Sequence, residues 1–396
     1  MSTIAAITGN ECVAEAIRLC KPDVVAAYPI TPQSSVAEKI AAMVANGELD
    51  SIVCDVESEH SAMSVLKGAA MVGKRVFTAT SGQGLALMYE PYFSMGTMRI
   101  PMVMAIACRE MISPVTVWSG LQDALSVRDC GWMQMFCEDN QEILDMIVQG
   151  YKISETSNVY LPINVCYDGF YLSHQTQRVE LPTQEQVSAF LPPYSYKQLL
   201  DVDSPAVVDP NTTGKLMMGY REDHLAGMRS ALDVIEEVNA EFAKQFGRDH
   251  GGLVDAYRME DAEYVMVTMG CITGTAREVI DDMRKKGHKM GLVKVRFMRP
   301  FPEKKVADLL RGRKAVGIVD KSVSFGWRRG VLYTEVMAAL GANGVSVPSL
   351  AFVAGLGGYD VRFEHLAYAA DAIVKAGAAG ISSDHAEFLI EQGCVA

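Results

Sequence analysis

The stretch CDVESEHSAMSVLKGAAMVG, Cys54 to Gly73, decides how the chain is read. It joins the end of an apolar run, Ser51–Cys54, to a helical pattern. From Glu59, helical spacing picks out Ala62, Met63, Leu66 and Ala70, all apolar or small. Glu57 lines up instead with His60, Ser61, Ser64 and Gly68 on a more polar face. An apolar strand feeding straight into an amphipathic helix is half of a strand–helix–strand unit, which points to an α/β fold. It also leaves a carboxylate at the head of a core-facing stripe.

The same alternation extends on both sides. Asp23–Ile30, Ile52–Val56, Arg75–Thr80, Pro101–Cys108 and Val159–Val165 read as strands, with helices at Glu11–Cys20, Ser34–Ala45 and Ser58–Val72. Strands apolar on both faces and separated by helices predict a parallel sheet covered on both sides. The segment 175–214 is rich in proline and weakly periodic, so it reads as an extended arm over the surface or a neighbouring subunit. A long helix follows, with Leu225, Met228, Leu232, Ile235, Val238 and Phe242 on one face and Gly247 at its end. A second α/β unit begins near Asp261. Its strands are Tyr264–Met269, Lys289–Arg296 and Ala315–Val319, and its helices Thr275–Lys286 and Pro302–Leu310.

The chain has 396 residues, enough for two domains of about 100–200 residues each. Apolar residues make up 49%, which argues against disorder. No run reaches the roughly 20 apolar residues of a membrane span, and the N-terminus lacks a signal-peptide layout, so a cytoplasmic location is expected. A net charge of −12 disfavours nucleic acid as a partner. The nine cysteines, at 12, 20, 54, 108, 130, 137, 166, 271 and 394, are odd in number and show no C-x-x-C pair. A disulfide framework, a structural zinc site and an iron–sulfur site are therefore not expected, and no metal ligands are assigned.

Candidate chemistry gathers at the carboxyl ends of the strands, where open parallel sheets bind ligands. The first such end is Tyr28-Pro29-Ile30-Thr31-Pro32-Gln33-Ser34, although Thr31 or Ser34 also suits a helix cap. Thr80-Ser81-Gly82-Gln83-Gly84 is a Gly/Ser turn before a helix, as in phosphate cradles and in plain caps. Arg109, leaving an apolar strand, suits a substrate carboxylate; pairing with Glu110 or Glu90 is the structural alternative. Gly355-Leu356-Gly357-Gly358 lacks nucleotide-motif spacing and reads as a tight turn. Glu59 has two readings. Buried, its carboxyl has a raised pKa and can move protons near neutral pH. Exposed, it is an ordinary acidic residue in the first turn of a helix.

Taken together, GNECVAEAIRLCKPDVVAAYPITPQSSVAEKIAAMVANGELD, VESEHSAMSVLKGAAMVGKRVFTATSGQGLALMYE, RDCGWMQMF, FLPPY and VKVRFMRPFP resemble the alpha subunit of the pyruvate:ferredoxin oxidoreductase family. Its members are thiamine-diphosphate-dependent 2-oxoacid:acceptor oxidoreductases. The resemblance runs from Gly9 to about Val361 and rests on YPITPQ, ESEH and TATSGQG in that order. It implies a domain at residues 1–250, arm included, facing the aminopyrimidine of the cofactor. A domain like the transketolase C-terminal domain would follow at 255–396. Glu59 falls on the glutamate that hydrogen-bonds the pyrimidine and activates the cofactor. Thr31 and Arg109 fall on substrate-contacting residues, and Pro29, Ile30, Ser81 and Gln83 would border the cofactor. The G-D-G motif that holds diphosphate and Mg2+ is absent, as is grouped cysteine spacing for 4Fe-4S clusters. The resemblance therefore implies a beta subunit carrying the diphosphate and magnesium, gamma and ferredoxin-like delta subunits, and 4Fe-4S clusters on partner subunits and none on this chain. The chain would work only in that complex, decarboxylating a 2-oxoacid oxidatively to CO2 and, where coenzyme A takes part, an acyl-CoA.

Two expectations go further. The arm, with Phe190-Leu191-Pro192-Pro193-Tyr194, would lie across a partner; an intrachain strap is the alternative. Pyruvate-type relatives resemble Ile-Trp-(Asn/Gly)-Asp-His-Ser-Asp after the arginine, where this chain has Val117-Trp118-Ser119-Gly120-Leu121-Gln122-Asp123. With Trp118, Gly120, Leu121 and Asp123 lining the pocket, loss of the Asp-His pair favours a bulkier or aromatic 2-oxoacid such as phenylglyoxylate. Pyruvate is the alternative substrate. A non-redox thiamine-dependent decarboxylase and an inactive scaffold subunit are the alternative functions.

Overall fold

In the computed structural model, which describes residues 2–196 and 199–390, two sheets organise the chain. The first has seven strands in the order Phe297–Arg299, Met133–Phe136, Ile163–Asp168, Val103–Cys108, Val76–Thr80, Val24–Ala27 and Ile52–Asp55. All its pairings are parallel except that of Phe297–Arg299, which returns from the second half of the chain. Its middle strands are buried along their whole length, as sandwiching between helices demands. The second sheet has six strands: Glu387–Phe388, Ser349–Val353, Ala315–Asp320, Tyr264–Thr268, Met290–Val295 and Val254–Tyr257, the last antiparallel. Among the described residues, no helix is long and apolar enough to cross a membrane.

The helix Ser34–Ala45 has the bounds that its periodicity predicts, and Glu59–Met71 buries Glu59, Ala62, Met63, Leu66 and Ala70. Other elements differ from expectation. The strand expected at Val159–Val165 is Ile163–Asp168, because Pro162 has no N–H to give to the ladder. The strand expected at Asp23–Ile30 stops at Ala27, which frees Tyr28–Pro32 as a loop at its carboxyl end.

The arm is corrected most. Thr176–Leu181 pairs antiparallel with Thr3–Thr8, and Gln184–Phe190 is a helix opened by a Thr183/Gln186 capping box. Phe190 is buried edge-on against Phe242 and Phe246 at 5.4 and 5.6 Å. The Pro192 carbonyl accepts from Arg75, whose guanidinium lies 5.5 Å from the Tyr194 ring. FLPPY is thus a strap on its own chain and not a segment whose aromatics wait for a partner. Residues 197–198, within the arm, and Cys394 lie outside the described residues.

The long helix runs Gly214–Phe246, about 50 Å at 1.5 Å per residue, and ends at Gly247 in the left-handed conformation. Its buried stripe begins only at His224 and continues through Gly227, Ala231, Ile235, Val238 and Phe242. Leu225, expected on that stripe, is 57% exposed. Gly227 is where Arg99 crosses: a β-carbon there would lie 2.9 Å from the guanidinium.

The two halves are joined by a buried ionic cluster. Glu142, on the helix Asn140–Ser154, accepts from Lys294 and Arg296 at 2.7 Å each. Both cations sit in or beside the strand Met290–Val295, within the VKVRFMRPFP stretch.

Candidate functional site

Three strand ends of the first sheet converge. The loop after Val24–Ala27 carries Pro29, Ile30 and Thr31; the turn after Val76–Thr80 carries Ser81 to Gly84; Arg109 follows Val103–Cys108. The first loop is held from behind. Asn10 donates to the Pro32 carbonyl at 2.7 Å and to Ser35 at 2.8 Å while accepting from the Tyr167 hydroxyl. Gln33 donates to the Tyr28 carbonyl at 3.1 Å. Asn10 and Gln33 were not singled out from sequence, because each acts through a loop carbonyl that no spacing pattern marks.

Glu59 occupies the first position of its helix, capped by Ser58 accepting from the Ser61 N–H. Its stripe carries the carboxyl inward, and the residue is 4% exposed. Burial raises its pKa, opposed by its own backbone N–H and by Arg109. The carboxyl lies beside Gly84 and Thr80: a β-carbon on Gly84 would overlap a Glu59 oxygen and sit 2.6 Å from the Thr80 hydroxyl.

Arg109 is 8% exposed and reaches toward the same place. One guanidinium nitrogen donates to the Thr31 carbonyl at 2.7 Å and the other to the Gln83 side-chain oxygen. Burial lowers the Arg109 pKa, with Asp123 and Glu59 acting the other way. Gly82, at φ +49°, leaves the space the Arg109 stem needs. The structure therefore brings together Thr31, Glu59, Ser81, Gln83 and Arg109. Thr31 enters by its carbonyl, and its side chain is exposed at the mouth, as is Pro29.

The residues predicted to line the pocket behave differently. Asp123 is fully buried, and its carboxylate accepts from the backbone N–H groups of Gly82, Arg109 and Ala124 at 2.8, 3.0 and 2.7 Å. Burial pushes its pKa up to about 7 against those three bonds. Leu121 is buried and donates its N–H to the Lys321 carbonyl at 3.1 Å. The space over Gly120 belongs to the Glu110 carboxyl, which a β-carbon there would overlap. Trp118 is half exposed, packs on Phe170 at 4.4 Å, and lines a separate cleft with Tyr171, Gly358 and Asp360. In this chain the space beside Gly120 is taken by Glu110, and Leu121 is a core side chain. Neither residue adds support of its own to the size argument.

An aminopyrimidine fits the converging set. Among the described residues, the Thr80 and Ser81 hydroxyls and Arg109 Nε are buried without a hydrogen-bond partner, near the buried Glu59 carboxyl, whose pKa burial raises. Such orphaned polar atoms are what a buried heterocycle with ring nitrogens and an amino group would satisfy. A groove of about 890 Å³ lies at Arg99, Tyr160 and Met217, ahead of the strands and not at their carboxyl ends.

Comparison with known proteins identifies the family. Residues 15–240 match the model of the pyruvate flavodoxin/ferredoxin oxidoreductase thiamine-diphosphate-binding region, and 262–366 that of pyruvate:ferredoxin oxidoreductase core domain II. The alpha subunit of NADH-dependent phenylglyoxylate dehydrogenase from Aromatoleum evansii is 44% identical over 366 residues, covering 90% of this chain and 88% of that protein. Pyruvate synthase subunit PorA from Methanocaldococcus jannaschii is 44% identical over 368 residues, covering 92% and 94%. Among solved structures, the 2-oxoglutarate:ferredoxin oxidoreductase of Magnetococcus marinus superposes with TM-score 0.75 at 20% identity, over 94% of this chain and 65% of that one. A split-gene transketolase superposes at 0.57 and 12% identity, over 94% and 99%, which supports the shared fold. With both matched regions in chain order and Glu59, Arg109 and Thr31 meeting at one point, the chain belongs to the pyruvate flavodoxin/ferredoxin oxidoreductase family.

Proposed function

We propose that this chain is the alpha-type subunit of a 2-oxoacid:acceptor oxidoreductase complex, with residues 1–250 facing the pyrimidine of thiamine diphosphate and 255–396 forming the transketolase C-terminal-like domain. The observation that carries the reading is the buried Glu59 carboxyl, set beside unpartnered Thr80 and Ser81 hydroxyls and near Arg109. Thiamine diphosphate, when bound, supplies the carbon nucleophile and the electron sink for decarboxylation. Glu59 holds or releases the proton at the pyrimidine edge, and burial, by raising its pKa, favours the protonated form in that exchange. Arg109 grips the substrate carboxylate, and the Thr31 loop closes over it. Pro29, Ile30, Ser81 and Gln83 border the ring. Partner subunits contribute the diphosphate and Mg2+ site, the 4Fe-4S clusters and the passage of electrons to ferredoxin or NAD, with coenzyme A as acyl acceptor.

The substrate class is a 2-oxo monocarboxylate, matched to the single guanidinium of Arg109. Relatives named for phenylglyoxylate and for pyruvate are equally similar at 44%, so identity does not separate the two. The test is Glu59→Gln in the assembled complex, followed by 2-oxoacid-dependent acceptor reduction. The rate should fall about 100-fold or more; wild-type turnover would sink the catalytic reading and leave a scaffold role.

A further inference from the structure

Asp123 is a buried carboxylate whose hydrogen-bonding partners are backbone amides. One oxygen, Oδ2, takes the N–H groups of both Gly82 and Arg109, which end two neighbouring strands. Gly82 opens the turn that carries Gln83 and Gly84, and Gln83 in turn receives the Arg109 guanidinium. Asp123 itself sits in the first turn of the short helix Gln122–Ser126, pinned by Gln134 donating to the Ala124 carbonyl at 2.8 Å. The approach to that helix is gripped by the second sheet. Gly358 N–H donates to the Ser119 carbonyl at 2.7 Å, Leu121 N–H to the Lys321 carbonyl, and Val323 N–H to the Gln122 side chain at 3.1 Å. Ser119 also donates to Asp168 at 2.6 Å, the residue that holds Lys321.

We propose that Asp123 is a positioning residue, which fixes the Arg109 guanidinium against the substrate by holding the Gly82 and Arg109 amides on one oxygen, and which the second sheet holds in place. A carboxyl suits this task because its two oxygens accept several N–H bonds at once. Leaving a carboxylate fully buried is costly, so a neutral residue would serve better if packing were its only role. A displacement of about 1 Å at a reacting centre is enough to cost roughly 100-fold in rate.

The inference rests on the proposed function, and a double-mutant cycle separates the two. In the assembled complex, kcat/KM for the 2-oxoacid is measured for the wild type, Asp123→Ala, Arg109→Ala and the double variant. Loss of 2-oxoacid turnover in the wild type, or none from Arg109→Ala, would count against the function itself. Given both, Asp123→Ala should lower kcat/KM at least about tenfold in the wild-type background and less than about threefold where Arg109 is already gone. Equal losses in both backgrounds, or no loss in either, overturn the proposal. If the alanine variant fails to assemble, Asp123→Asn takes its place in the cycle. Failure of both to assemble would also overturn it, since Asp123 would then be a determinant of folding.

Discussion

The Glu59 carboxyl fills the space in which a side chain on Gly84 would begin. Two separate motifs, ESEH at 57–60 and TSGQG at 80–84, are therefore one device, a carboxylate and the gap that receives it. Gly84→Ala should push the carboxyl out of line while favouring the helix Gly82–Leu87 it belongs to, by about 1 kcal/mol of propensity. The expected outcome is a split. Turnover of the complex falls about 100-fold, whereas the unfolding midpoint stays within about 2 °C of wild type. Assay and thermal scan on one preparation check this. Loss of both together would mean that Gly84 serves packing alone.

How far the sequence carries can be judged at such points. Glu59 and its stripe are legible because helical spacing is local: each of Ala62, Met63, Leu66 and Ala70 is buried as the period requires. Thr3–Thr8 and Thr176–Leu181 are not legible, since each becomes a strand only through the other, far along the chain. The same holds for Phe190, which reads as an exposed aromatic in a proline-rich arm until Phe242 and Phe246 are brought to it. Asp123 and Gly120 are candidates for the pocket wall because their stretch corresponds to the Ile-Trp-(Asn/Gly)-Asp-His-Ser-Asp segment of pyruvate-type relatives. What settles their roles is clearance and amide direction, which appear only in three dimensions. The capping box at Thr183 is legible in Thr-x-x-Gln, although the prolines around it mask the short helix that it opens.

The Glu142 cluster sets a prediction about acid stability. Burial alone would raise the Glu142 pKa, but Lys294 and Arg296 overcome it and hold the group well below its ordinary 4.5. A depressed folded value means stabilisation that is complete above about pH 4.5 and is lost as pH falls below it. Glu142→Gln leaves two buried cations short of their counter-charge, with Glu138 still 3.1 Å from Lys294. The cost at pH 7 should be about 3–5 kcal/mol. Urea unfolding followed through buried Trp132 gives the difference between variant and wild type, and that difference should shrink between about pH 4.5 and pH 3. A gap that does not change over that range would mean the loss comes from packing and not from charge.

Gly120 gives the last prediction, and it bears on substrate choice. Its missing β-carbon is matched by the Glu110 carboxyl, which also accepts from the Gly357 N–H at 3.4 Å, in the turn after the strand Ser349–Val353. Gly120→Ala therefore drives Glu110 away from that contact. Burial already raises the Glu110 pKa, so the displaced group has little to gain from another buried position and should move toward solvent. Overpacking of this kind costs about 1–3 kcal/mol. If Gly120 instead made room for a substrate tail, the alanine would penalise phenylglyoxylate far more than pyruvate. The expected result is a stability loss in that range, with the ratio of kcat/KM between the two substrates unchanged within about threefold, roughly 0.65 kcal/mol. A shift of tenfold or more toward pyruvate, with stability intact, would restore Gly120 to the pocket wall and the bulky-substrate argument with it.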